Sequence, residues 1–247
     1  TSGCTATPTA LTEWGPEQGG FFRMVSFAGH QLGVSENFNL GIEQSAKLLV
    51  PRKGIELMQA GLEAAKTAAR TKPLAEGEKA KPAMVGLVRS GPRVFVICEN
   101  ITTSVTLFPD QEFAPYRNAM EKRPRFYDES HGNGAVLPRL RFLDALKAIL
   151  VTSTDNMVSF RISNERIELV AENAAYGKGL DEIAIDYKGK SRVMTVDGPS
   201  MINCVSVLDS EQFFLGMSEA QPGITILRPD PPPAAEPGHV GVGDLIQ

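Results

Sequence analysis

The residues most able to do chemistry in this chain do not assemble into a catalytic set. His30, His131 and His239 lie far apart and form neither an HxxxH nor an HExxH pattern, so no metal-binding helix face is supported. No GxSxG nucleophile elbow, Walker A loop or dinucleotide GxGxxG is present. Gly238, Gly241 and Gly243 lack the preceding strand and the following helix that a phosphate-cradling loop requires. Asp128-Glu129 and Asp181-Glu182 are adjacent acids, whose side chains diverge on a strand or loop, and they read as solvated surface. Cys4, Cys98 and Cys204 are odd in number and form no CxxC, which argues against a disulfide framework and a structural zinc site. Asn100-Ile101-Thr102 matches a glycosylation triplet in a chain without a secretion signal. The expectation is a protein that is not an enzyme and needs no cofactor.

The cations carry more. Over Arg139–Ser153 a wheel at ~100° per residue sets Arg141, Asp144, Lys147, Ala148 and Thr152 opposite Phe142, Leu143, Leu146, Ile149 and Leu150. A second helical stretch, Lys53–Arg70, places Ile55, Met58, Leu62, Ala65 and Ala69 on one face and carries Arg52, Lys53, Lys66 and Arg70. A solvated helix face is one reading of both. The sharper reading is that successive helices point cations at a polyanion, giving sequence-independent phosphate contacts. With 25 Lys+Arg against 29 Asp+Glu the net charge is −4, which excludes a wholly basic surface but leaves room for a local patch.

These side chains must be held by short elements. The chain has 247 residues, 42% of them hydrophobic, enough to bury a core in one or two domains. No apolar run approaches the ~20 residues of a membrane span, and the cysteine usage makes a reducing, cytoplasmic setting the expectation. Thr1 rather than Met opens the sequence, as in a processed or truncated piece.

Strands are expected at Phe22–Ala28, Lys47–Val50, Ala83–Arg89, Arg93–Glu99 and Thr102–Phe108, then at Met157–Ser163, Arg166–Ala171, Glu182–Tyr187, Arg192–Val196 and Gly223–Leu227. Asn164-Glu165 joins two of them as a hairpin. Pro199–Leu208 is a third, weaker helix. Lys72–Pro82 reads as a surface loop and Pro229–Gly238 as a loop before a short tail, because proline removes a donor and fixes φ. Glu121–Gly134 mixes charge, Pro and Gly and marks a boundary near Lys122–Tyr127, dividing the chain into 1–122 and 123–247. Leu48–Gly54 and Val193–Pro199 both run strand, turn, helix and are followed by further strands. That recurrence suggests duplicated α+β modules with antiparallel sheets, since the connections are too short for parallel crossovers.

Several segments resemble one family. Phe22–Leu32 (FRMVSFAGHQL) is similar to the R-x-V-A-T-D-G-H-R-L strand-turn-strand of the bacterial DNA polymerase III beta sliding clamp, and Leu49–Met58 (LVPRKGIELM) to its I-V-P-R-K-G-x-x-E-L. Phe113–Arg117 stands where that family has F-P-D-Y-R. Phe142–Leu150 resembles the first helix of the last clamp domain, and Ile167–Asn173 its L-x-I-x-A-x-N strand. The matches keep their order across residues 20–228.

The resemblance implies a DNA-clamp fold, helices on the inner face and sheets outside, with the chain supplying a middle-type domain, incomplete at its start, and a last-type domain. It implies a non-enzymatic processivity factor of DNA replication that encircles duplex DNA and binds a polymerase subunit and clamp loader through short peptides. The implied assembly is a homo-oligomeric ring, a dimer of three-domain subunits; a two-domain chain closing as a trimer also satisfies the ring. Arg52, Lys53, Lys66, Arg70, Arg141 and Lys147 would meet phosphates.

The implied peptide pocket keeps Gly29, His30 and Leu32, while Phe27 and Ala28 replace a Thr-Asp pair and Gln31 an Arg. Ala114 stands for the pocket Pro, with Pro115 one position later; Asn118 and Ala119 stand for Arg-Val, Asp197 for an Asn and Ser200 for a Tyr. The closing M-P-M-R-L is absent, and Val242 and Leu245 offer a remnant of that wall. These departures leave open an alternative, a divergent clamp-derived interaction module that no longer encircles DNA.

Overall fold

A computed structural model of the chain describes residues 9–28, 31–71, 84–108, 113–118, 134–175, 177–217, 225–230 and 245–246. Its contacts divide into two units, Thr1–Gly29 with Asn39–Ala114, and His30–Phe38 with Pro115–Gln247. The expected loop at Lys72–Pro82 lies outside the described residues, and so does the expected boundary at Lys122–Tyr127.

The first unit contains β1 (Thr9–Gly15), β2 (Phe21–Ala28), β4 (Ala46–Pro51), α1 (Arg52–Thr71), β5 (Val85–Ser90), β6 (Arg93–Cys98) and β7 (Ile101–Thr106); β3 (Gln31–Asn37) stands with the second unit. β1 pairs antiparallel with both β2 and β4, and β5-β6-β7 forms a separate antiparallel sheet. In β6 the alternation of Val94, Val96 and Cys98 inward with Arg93 and Ile97 outward follows the two-residue period of a strand. Leu48, Val50, Val94, Val105 and Leu107 form the core, with Trp14, Ile55 and Met58 packed against it. Pro51 ends β4, and α1 begins at the next residue. A Cβ at Gly54 would collide with Val105 and one at Gly61 with Thr103, so these two glycines let α1 lie close on β7.

The second unit contains β8 (Gly134–Pro138), α2 (Arg139–Leu150), β9 (Met157–Ser163), β10 (Arg166–Asn173) and β11 (Gly177–Ala184), then β12 (Arg192–Asp197), α3 (Gly198–Ser206), β13 (Gln212–Met217), β14 (Thr225–Asp230) and β15 (Leu245–Ile246). This is one strand-helix-three-strand pattern written twice. The lead strands are exchanged: β12 pairs with β9, and β8 pairs with β13. The resulting sheets run β11-β10-β9-β12 and β3-β15-β14-β13-β8. One core joins both sheets and both helices, with Phe142 of α2 set edge-on to Phe160 at 5.4 Å and to Phe213 at 5.2 Å.

All described strand pairs are antiparallel, and the architecture is α+β. The Asn164-Glu165 hairpin forms, with Ser163 opposite Arg166 and Glu165 at φ 64°. Three expectations need correction. The strand expected over Glu182–Tyr187 runs over Gly177–Ala184, because β10 pairs from Asn173 directly back to Gly177; Ile185 and Tyr187 are buried beyond its end. Five described strands, β1, β3, β8, β13 and β15, have no counterpart in the expected set. Pro229, assigned to a loop, closes against Phe213 within β14. β15 reaches only Ile226 and Leu227, so among the described residues Pro229 has no neighbour on that side needing its missing N–H.

Candidate nucleic-acid interface

The exposed side of α1 carries Arg52, Lys53 and Lys66, interleaved with acids. The Arg52 Nε donates to Glu56 Oε1 at 3.0 Å, and Lys66 Nζ lies 3.8 Å from Glu63 Oε1. All four side chains are more than half exposed, so these are the weak, easily exchanged pairs of a helix surface. Lys53 is exposed and enters no ion pair among the described residues. Arg70 falls in the last helical turns.

On α2 the wheel is correct: Phe142, Leu143, Ala145, Leu146 and Ile149 are buried, and Arg141, Asp144 and Lys147 are exposed. The helix starts without a side-chain cap after Pro138; the Arg139 N–H donates to Glu211 O at 2.9 Å and its Nε to Ser210 O at 2.7 Å. Lys147 sits in the last turn, where a cation complements the helix dipole.

Arg141 is engaged across the fold. Its Nη1 donates to Asp181 Oδ2 at 2.9 Å, and its Nη2 to Asp181 Oδ1 at 2.5 Å and to Glu182 O at 3.2 Å. The same Asp181 Oδ1 accepts the Glu182 N–H at 2.8 Å. The hydrogen bond from Arg141 holds the Asp181 carboxyl below the usual carboxylate range, and the bond to Asp181 raises the Arg141 guanidinium. Asp181 is therefore not the freely solvated acid expected from its sequence neighbourhood. No local pattern announces this pairing, because its partners are 40 residues apart and meet only when β11 lies beside α2.

The residues assigned to a peptide pocket have mixed fates. Gly29, His30 and Val242 lie outside the described residues. Ala114 belongs to the first unit and is half-buried; Pro115 and Asn118, in the second, are exposed. Leu32 of β3 is buried, opposite Ile246. Leu245 stands in the ladder between Gly33 and Leu227. Asp197 caps α3, its Oδ2 accepting the Ser200 N–H at 2.9 Å. That is a local structural role; an Asp before Gly-Pro at a helix start is its signal, which the placement of Asp197 in the peptide pocket passes over.

Among the described residues no group of three or more His, Cys, Asp or Glu is placed to hold a metal, and no helix is long and apolar enough to cross a membrane. Cys98 and Cys204 are buried free thiols; burial pushes the Cys204 thiol up to about 11.

The repeated strand-helix-three-strand pattern with exchanged lead strands is a sliding-clamp fold. In particular, it is the fold of the bacterial DNA polymerase III beta subunit. The chain matches that subunit from Pseudomonas aeruginosa with a TM-score of 0.71 at 18% identity, covering 96% of this chain and 56% of that one. It matches the Thermotoga maritima beta subunit at 0.70 and 18%, covering 95% and 55%. The C. crescentus beta sliding clamp follows at 0.68 and 19%, covering 97% and 56%. The chain thus spans about half the length of these solved structures. No family profile and no curated protein sequence matches it.

Proposed function

We propose that this chain supplies two units of a non-enzymatic DNA sliding clamp, which encircles duplex DNA as part of a homo-oligomeric ring and tethers a polymerase. The observation that carries this reading is the likeness to bacterial clamps over nearly the whole chain. Exposed Lys53 and Lys66 on α1 and Lys147 on α2 support it, because a sliding protein needs phosphate contacts without base contacts. Arg52, Arg70 and Arg141 complete the proposed DNA-facing set. Retention on DNA tests the topology. Protein loaded on closed circular duplex should remain bound and be lost on linearisation, and Lys53→Glu with Lys147→Glu should shorten retention while the melting temperature holds. Equal retention on linear and circular DNA refutes encirclement.

The pairing of Arg141 with Asp181 favours a second reading, a clamp-derived interaction module that has left DNA. Polymerase and clamp-loader peptides are the proposed partners in either case. Their pocket would use Gly29, His30, Leu32, Ala114, Pro115, Asn118, Asp197, Ser200, Val242 and Leu245. Against the family pattern, a Tyr position has become Ser200 and a Pro position Ala114. Burying a large apolar side chain is worth ~1.5–3 kcal/mol, so a pocket short of two such side chains holds a peptide more weakly by roughly two to four orders of magnitude. Calorimetric titration with a Gln-Leu-x-Leu-Phe peptide should therefore give much weaker binding than to an ordinary bacterial clamp. Equal affinity would show a rebuilt pocket.

A further inference from the structure

We propose that Asp181 competes with DNA phosphate for Arg141 and thereby limits how tightly the second unit holds duplex DNA. This inference rests on the DNA-binding reading above. Arginine recognises carboxylate and phosphate through the same planar fork, so a carboxylate already seated on that fork is a stand-in for phosphate. Both terminal nitrogens of Arg141 point at Asp181, and Nη2 is shared with the Glu182 carbonyl.

Asp144 lies one turn along the same face and is close enough to act on Arg141 electrostatically. The exposed α2 face and its β11 neighbour thus combine two cations, Arg141 and Lys147, with two carboxylates, Asp144 and Asp181. Of these two cations, Lys147 alone enters no ion pair among the described residues and would meet a phosphate without a competitor. The pair is open to solvent, the Arg141 and Asp181 side chains being 46% and 27% exposed, so a phosphate can approach it.

Engaging Arg141 with phosphate would leave the Asp181 carboxylate facing that phosphate, and the repulsion lowers affinity. The device suits a protein that must move along its ligand: a face that binds phosphate weakly exchanges contacts quickly. Asp181→Asn keeps the size and one acceptor but removes the charge.

The test is fluorescence anisotropy of the 247-residue chain with a short fluorescent duplex of mixed sequence, over a salt series starting at low ionic strength. Wild type is measured beside Asp181→Asn, Asp181→Ser, Asp181→Asn with Arg141→Gln, and Lys147→Gln. Either Asp181 variant should bind a few-fold tighter, and its plot of log K against log salt should steepen by about 0.9, the slope of one added phosphate contact. Adding Arg141→Gln should erase both gains. A purely structural role predicts the opposite sign, because breaking the pair would only loosen the fold. If the Asp181 variants match wild type or bind more weakly while Lys147→Gln weakens binding, the competitor role is overturned and the DNA reading stands. If neither wild type nor any variant binds the duplex at low salt, Arg141 makes no phosphate contact for Asp181 to limit and the inference is overturned, whereas the encirclement reading is decided separately by retention on closed circular DNA.

Discussion

At the scale of single residues, position on a helix is legible in the sequence and partnership is not. The α2 wheel sorts Arg141 and Lys147 outward because one helix's periodicity contains that information. It cannot contain Asp181, which reaches Arg141 only through the pairing of β11 with β10. Asp197 shows the opposite case. The Asp-Gly-Pro run at a helix start carries its own explanation, since the carboxylate satisfies the Ser200 N–H that a helix N-terminus leaves open. Asp197→Ala should therefore cost about 1 kcal/mol of stability, read by urea unfolding, whereas Asp197→Asn should cost much less. A loss for Asn equal to that for Ala would mean that charge at this point, rather than capping, is what matters.

Among the described elements, the helices α1, α2 and α3 are legible because Pro51, Pro138 and Pro199 mark their starts and the apolar spacing marks their faces. Strands with clean alternation, such as β6 and β9, are legible for the same reason. β13 is not, because Phe213, Phe214 and Leu215 are all buried and a continuous apolar run has no period to read. β1 hides differently: Thr12 and Glu13 are buried beside Leu11, and Glu13 is held by Arg23 at 2.6 Å across the β1–β2 pair.

The approach of α1 to β7 is visible only in the structure, and it gives a prediction of inverted sign. On an exposed helix Gly→Ala gains about 1 kcal/mol. At Gly61 the new methyl would run into the Thr103 hydroxyl and come within 3.3 Å of the Thr103 Cβ. Gly61→Ala should thus lower the melting temperature, and the penalty should shrink in a Thr103→Ala background. A rise in melting temperature for Gly61→Ala alone would mean that the helix stands far enough from β7 to admit a methyl group.

For the whole molecule, the recurrence of strand, turn and helix is readable at Leu48–Gly54 and Val193–Pro199, but the exchange of lead strands is not, because it is a long-range pairing choice. That exchange has an energetic consequence in the second unit. β8 opens the first repeat yet completes the sheet of the second, and β12 does the reverse. Neither repeat closes a sheet without the other, so the unit should unfold in one cooperative step. Phe142 tests this directly. It is fully buried and its ring meets Phe160 of one sheet and Phe213 of the other. Phe142→Ala removes a large side chain from a close-packed site and should cost about 3–5 kcal/mol. Because the ring contacts both sheets, amide exchange should accelerate together in β9 and in β13, by a similar free energy. Loss of protection confined to β9 and β10, with β13 and β14 unchanged, would show that the two sheets unfold separately and that strand exchange does not couple them.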